Sequence, residues 1–163
     1  MSDLDQNERP SPLMRGLFLA YCAVMLWLLF GREGYLPEEN GYWEVVSRNL
    51  NLEPFYTIGA CIRLLSPGRG RHLVSYAVIN LFGNVLVFVP WGFFLPCLWK
   101  KQRALGWFLL TTAGTVAAVE TLQLFSLRGS CDVDDLILNL LGGLLGFALF
   151  RLWRWAAGRK AKK

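Results

Sequence analysis

Glu120 and Gln123 stand three residues apart, Asn80 and Asn84 four apart, and Arg128, Asp132, Asp135 and Asn139 follow one another within residues 128–139. Clustered carboxylates, amides and a guanidinium admit two kinds of chemistry. Acids brought together can hold Mg²⁺ or Mn²⁺, which favour oxygen ligands, or move protons where burial disturbs their ionisation. The same groups can instead grip a polar head by hydrogen bonds, with no bond broken. Nucleophilic catalysis is not indicated, because there is no Ser–His or Cys–His set and His72 is the single histidine. Cys22, Cys61, Cys97 and Cys131 form no C-x-x-C pair, so a zinc site is not indicated either. No cofactor is implied, and no residue can be assigned a catalytic role.

These residues must be positioned by helices that live in lipid. The chain has 163 residues, 54% of them hydrophobic, and its apolar residues come in long blocks rather than short stripes. Four spans are expected, at Leu13–Phe30, Leu73–Trp99 with a kink at Pro90, Gly106–Phe125 and Val133–Leu152. The N-terminus carries Asp3, Asp5 and Glu8 and lacks a small-residue cleavage site, so the first block reads as a retained anchor. Residues 31–72 form the longest connection. Pro54 can start a helix there, with Phe55, Ile58, Ile62 and Leu65 on one face and Ser66-Pro67-Gly68 at its end. The expected architecture is therefore all-α: an integral membrane four-helix bundle, with an interfacial amphipathic helix between the first and second spans. Residues 1–12 read as a cytosolic arm, 13–152 as one transmembrane domain and 153–163 as a basic cytosolic tail.

Orientation follows the positive-inside rule. Of the 17 Lys and Arg residues, eleven fall on the side shared by the termini and the Lys100–Arg103 turn. Both termini are expected in the cytoplasm of a bacterial cell. A basic tail beside a hydrophobic block fits an anionic membrane face, and no nucleic-acid module is present.

In that topology the polar residues of three spans reach one level. Asn80 and Asn84 occupy the outer half of the second span, Glu120 and Gln123 that of the third. Asp132, Asp134 and Asp135 sit at the mouth of the fourth, with Asn139 one turn deeper. Asp135, Asn139, Gly142 and Gly146 make one stripe, and Gly142 and Gly146 offer a small face for helix association or an oligomer. Ala113, Ala117 and Glu120 form the expected counterpart on the third span. Intramembrane acids point to function by default. Simpler roles stand beside that one. Asp132 suits an N-cap, and Arg128 suits an ion pair with Glu120 or Asp132. Asn80 and Asn84 suit interhelical hydrogen bonds, and His72 suits the membrane boundary. Cys61 and Cys131 fall on one side of the membrane, and spacing leaves their pairing open.

The segments NLEPFYTI (51–58), NLFGNVLVFVPWGFFLP (80–96), ETLQ (120–123) and RGSCDVDDLILNLLGGLLG (128–146) resemble the pattern of the VanZ-like membrane proteins. The resemblance covers the chain from about Asn51 to Gly146. It implies a small bacterial integral membrane protein and, through the founding member, a link to resistance against the glycopeptide teicoplanin. The recurrent positions of that family fall on Pro54, Phe55, Asn80, Gly83, Asn84, Phe88, Pro90, Gly92, Glu120, Gln123, Arg128, Asp132, Asp135, Asn139, Gly142 and Gly146. Tyr56 departs from it, standing where a basic residue often follows the Pro-Phe pair.

Three functions fit these observations. One is a binding protein for an amphipathic lipid or lipopeptide, its head among Asn80, Asn84, Glu120, Gln123, Arg128, Asp132, Asp135 and Asn139. Another is an intramembrane enzyme using Glu120, Asp132 and Asp135 with a divalent metal on a lipid phosphate. The last is an assembly partner of another membrane protein. Beyond these, the lipid bilayer is the one partner the composition requires.

Overall fold

The computed structural model describes residues 11–31, 34 and 41–160. The expected arm before Ser11 lies outside the described residues, as do Glu33, Glu38, Glu39 and the end of the basic tail.

Six helices account for most of the described residues. Helix α1 spans Pro12–Phe30 and starts where its sequence says it should. Ser11 caps it by accepting a 3.2 Å hydrogen bond from Met14 N, and Pro12 occupies the first turn, where no backbone donor is needed. Helix α2 is Tyr42–Arg48 and α3 is Tyr56–Leu64. Helix α4 runs Arg71–Leu98 without interruption through Pro90 and Pro96. A 3-10 turn at Lys100–Arg103 leads into α5, Leu105–Phe125. Helix α6 is Val133–Lys160, so the tail expected after Leu152 continues the helix as far as Lys160.

Four of these helices, α1, α4, α5 and α6, are long and apolar enough to cross a membrane. The 19 residues of α1 extend about 28 Å, just enough for a hydrocarbon core of about 30 Å. Large apolar side chains such as Trp27, Phe82, Leu110 and Leu149 stay exposed along them. In lipid that exposure costs nothing, which is why the buried set can be small.

What holds the bundle together is close backbone approach. A Cβ on Gly142 would collide with the Val85 carbonyl oxygen, one on Gly146 with that of Val89, and one on Gly92 with that of Gly143. The α4–α6 seam is thus built from glycines on both helices, and dispersion replaces the hydrophobic effect that lipid cannot supply. Gly142 and Gly146 are occupied inside the chain, and an oligomer through them would have to displace α4. The α5 counterpart also differs from the expected one. Ala117 is exposed, and the buried α5 stripe is Phe108, Thr112, Val116, Glu120 and Leu124, each a step of four. Phe108 meets Phe147 of α6 with ring centroids 4.8 Å apart. Helix α1 leans on α4 through Phe18 against Trp91 and Phe94, and Tyr21 donates to Val87 O at 2.8 Å.

The connection between α1 and α4 is not a plain loop. After α2 comes β1, Leu50–Asn51, which pairs in parallel with β2, Cys131–Asp132. This two-stranded bridge is an addition to the all-α expectation. It zips the 41–58 segment onto the α5–α6 turn, helped by Cys131 N donating to Asn49 O at 2.9 Å and Tyr42 Oη donating to Phe125 O at 2.7 Å. Val46 of α2 completes the contact by packing against Leu124 and Leu127. Helix α3 begins two residues later than Pro54. It packs on α4 and α6, with Cys61 buried and Phe55, Tyr56 and Ile62 exposed.

Candidate functional site

At the end of the bundle where α5 turns into α6, a run of carboxylates is distributed over three elements, α5, β2 and α6. Asp132 precedes α6 and acts as its cap. Its Oδ1 accepts from Asp134 N at 2.8 Å, and its Oδ2 accepts from Thr57 Oγ1 at 2.5 Å and Asn51 Nδ2 at 3.1 Å. One carboxylate therefore satisfies an orphan helix donor and ties β1 and α3 to the mouth of α6.

Asp134 is 0% exposed, and its two oxygens are saturated by the start of α3. Oδ1 accepts from Phe55 N at 2.5 Å and Oδ2 from Ile58 N at 2.9 Å. Phe55 holds a left-handed backbone with φ of 65°, an unusual state for a large side chain. The anchoring carboxylate holds the amide in place there. Burying a charge this completely is tolerable because both oxygens take backbone donors at a helix N-terminus.

Asp135 turns the other way and accepts a short hydrogen bond from Asn84 Nδ2 of α4. Glu120 of α5, 6% exposed, approaches from the third side and accepts from Asp132 N at 3.5 Å. One turn below Asp135, Asn139 is 3% exposed, and its Oδ1 has no hydrogen-bond partner. Asn80, one turn from Asn84, accepts from Cys61 Sγ at 3.7 Å.

Both cysteines at this end are free thiols. Burial raises the pKa of the Cys61 thiol, and the charges of Asp135, Asp132 and Asp134 raise it further. Burial raises that of Cys131 as well, reinforced by Glu120, Asp132 and Asp135. Both thiols thus register the field of the acids.

The structure thus brings together Asn84, Glu120, Asp132, Asp135 and Asn139, with Asn80 on their border. Gln123 and Arg128 go elsewhere. Gln123 Nε2 donates to Leu29 O at 2.9 Å, and Arg128 Nη1 donates to Phe30 O. Both satisfy carbonyls that the end of α1 leaves without helical partners. The expected ion pair of Arg128 with Glu120 or Asp132 is replaced by this capping role. A helix end is the stronger claimant because its carbonyls point directly at the turn that carries Arg128. Among the described residues no three His, Cys, Asp or Glu side chains come close enough to hold a metal ion. The hydrogen bonds above tie Asp132 to β1 and α3, Asp134 to the start of α3 and Asp135 to α4.

Asp134, Asn51 and Thr57 were not in the predicted ligand set. The signal for Asp134 was visible: a single N-cap needs one acid, and residues 132–135 hold three. Asn51 and Thr57 had no comparable signal, since only the β1–β2 register brings them to Asp132.

Fold and site together define a class: a small polytopic helical protein whose membrane-grade helices close around a buried seam of acids and amides. Comparison with known proteins narrows this. The family model of VanZ/LLP1 matches residues 18–154, and the chain belongs to that family. It is 28% identical over 141 residues to Protein VanZ of Enterococcus faecium, covering 86% of this chain and 74% of that relative. No solved structure matches it. Several residues that carry the resemblance now have physical reasons. Gly92, Gly142 and Gly146 permit the α4–α6 approach, and Asn84 and Asp135 join the same two helices. Nothing packed against Gly83 explains that position.

Proposed function

We propose that this VanZ-like protein binds the head of an amphipathic lipid or lipopeptide at the polar seam, which faces the outer side of a bacterial cell membrane, and that it thereby contributes to resistance against teicoplanin-type glycopeptides. The tail of the ligand stays among the lipid-exposed faces of α4, α5 and α6, and no covalent step is needed. Resistance then arises from sequestration or altered access. The observation that carries this reading is Asn139 Oδ1, a buried acceptor without a donor, one turn along α6 from Asp135. Buried polar atoms are nearly always satisfied, so an orphan in such a place fits a partner that arrives from outside. The family membership and the four apolar helices support the setting.

A photoactivatable probe with a lipid tail tests the reading in membranes containing the full chain. Crosslinks are expected on α5 and α6 around Glu120 and Asn139, and they should fall sharply in Glu120→Ala and Asn139→Leu. Labelling that ignores both substitutions would refute a head-group site at the seam.

A further inference from the structure

Resting on the binding reading above, we infer that the head accepted at the seam is a primary ammonium carried on an apolar tail, and not a phosphate. The charged side chains gathered there are all acids: Glu120, Asp132, Asp134 and Asp135. Among the described residues none of them is ion-paired, since the pair recorded, Arg48–Glu44, lies on the exposed face of α2. The guanidinium that the sequence places nearest, Arg128, is engaged at the end of α1.

Two of the acids are saturated. Asp134 uses both oxygens on backbone N–H groups, and Asp132 uses both on Thr57, Asn51 and its own helix. That leaves Glu120, Asp135 and Asn139 to meet a ligand. Glu120 is held by one long contact of 3.5 Å, Asp135 by Asn84 at Oδ1, and Asn139 Oδ1 by nothing. Each presents a carboxylate or amide oxygen that can accept a hydrogen bond. An ammonium offers three N–H donors and a positive charge, which matches the number and sign of these groups. A phosphate would set further acceptors and negative charge against the acids gathered there, and burying it among them would be unfavourable.

The test uses the purified full chain in nanodiscs of zwitterionic lipid. Dodecylammonium, dodecyl phosphate and dodecyl maltoside are titrated against it, with affinity and melting temperature as readouts. Dodecylammonium should bind saturably and raise the melting temperature, and dodecyl phosphate should do neither. Glu120→Gln and Asp135→Asn, which keep shape and existing hydrogen bonds, should each weaken the ammonium by roughly ten- to hundredfold. Arg128→Gln, away from the seam, should leave its affinity unchanged. Equal or tighter binding of the phosphate would overturn the inference. So would ammonium affinity unaltered in a Glu120→Gln or Asp135→Asn variant that still melts cooperatively. Should either substitution prevent folding, the contrast of the three probes on the unsubstituted chain decides alone. A phosphate or maltoside that binds and is lost in Asn139→Leu would refute the ammonium while leaving the binding reading in place. No binding by any of the three would end both.

Discussion

Replacing Asp134 by Asn should loosen α3 while leaving the spanning helices intact. The wild-type carboxylate accepts from Phe55 N at 2.5 Å and Ile58 N at 2.9 Å, fully out of contact with solvent. Hydrogen bonds to a charged acceptor contribute about 1.5–3 kcal/mol each, and neutral ones about 1 kcal/mol. Asn keeps one oxygen, so one bond drops to the neutral value. The other becomes an NH₂ group facing an N–H, which leaves a buried donor unsatisfied at a cost of about 1–3 kcal/mol. Part is recovered because Phe55 can leave its left-handed backbone, a state costing on the order of 1 kcal/mol. The net loss comes to about 0.5–4 kcal/mol, confined to the contact between α3 and α6. Amide hydrogen exchange reads it directly. Phe55 and Ile58 should exchange roughly two- to several-hundredfold faster, since about 1.4 kcal/mol is a factor of ten. The amide of Phe88, deep in α4, should be unaffected. Exchange unchanged at both amides, in a variant shown to fold, would mean that Asp134 does not anchor α3.

Gly142→Ala and Gly146→Ala should each lower the unfolding free energy in micelles by about 1–3 kcal/mol, since the new methyl forces α4 and α6 apart; a variant as stable as the parent would count against the packed seam. Arg128→Gln should destabilise by about 1–3 kcal/mol and make α1 more accessible to protease, because Phe30 O loses a charged donor. Unchanged proteolysis would show that the cap is ornamental. Glu120→Gln should speed alkylation of Cys131. The raised thiol pKa keeps the reactive thiolate scarce until the pH climbs past the ordinary thiol range, and removing the Glu120 charge lowers that pKa, so the rate profile should move to lower pH. A profile that stays put would place Glu120 too far from Cys131. A reporter fused after Lys163 should be active only in the cytoplasm, and activity outside the cell would invert the topology on which the outward-facing seam depends.

Much of the site was legible because helical periodicity is a local property. Asn80 with Asn84, Glu120 on its own stripe, and Asp135 with Asn139 all follow from steps of three and four residues. Once the spans are placed, depth brings them to one level. Arg128 and Gln123 turn to the end of α1 instead, for an equally physical reason. Both occur at that same depth, but a side chain at a turn chooses among neighbours by direction, and the open carbonyls at the end of α1 are contributed by residues about a hundred positions earlier in the chain. The β1–β2 bridge was illegible too, since two residues have no periodicity to read.

The amino-acid sequence alone determined that this protein has four lipid-grade helices, that their polar residues collect near one end, and that glycines mark the faces where backbones touch. Those features arise from composition and short-range spacing, which no tertiary contact can change. Only the tertiary structure decided which acids are spent on holding α3 and β1, which helix the glycines meet, and which acceptors remain for a ligand. Each of those outcomes depends on hydrogen-bond direction between elements far apart in the chain, and a carboxylate's role is set by the donors that reach it rather than by its place in the order of residues.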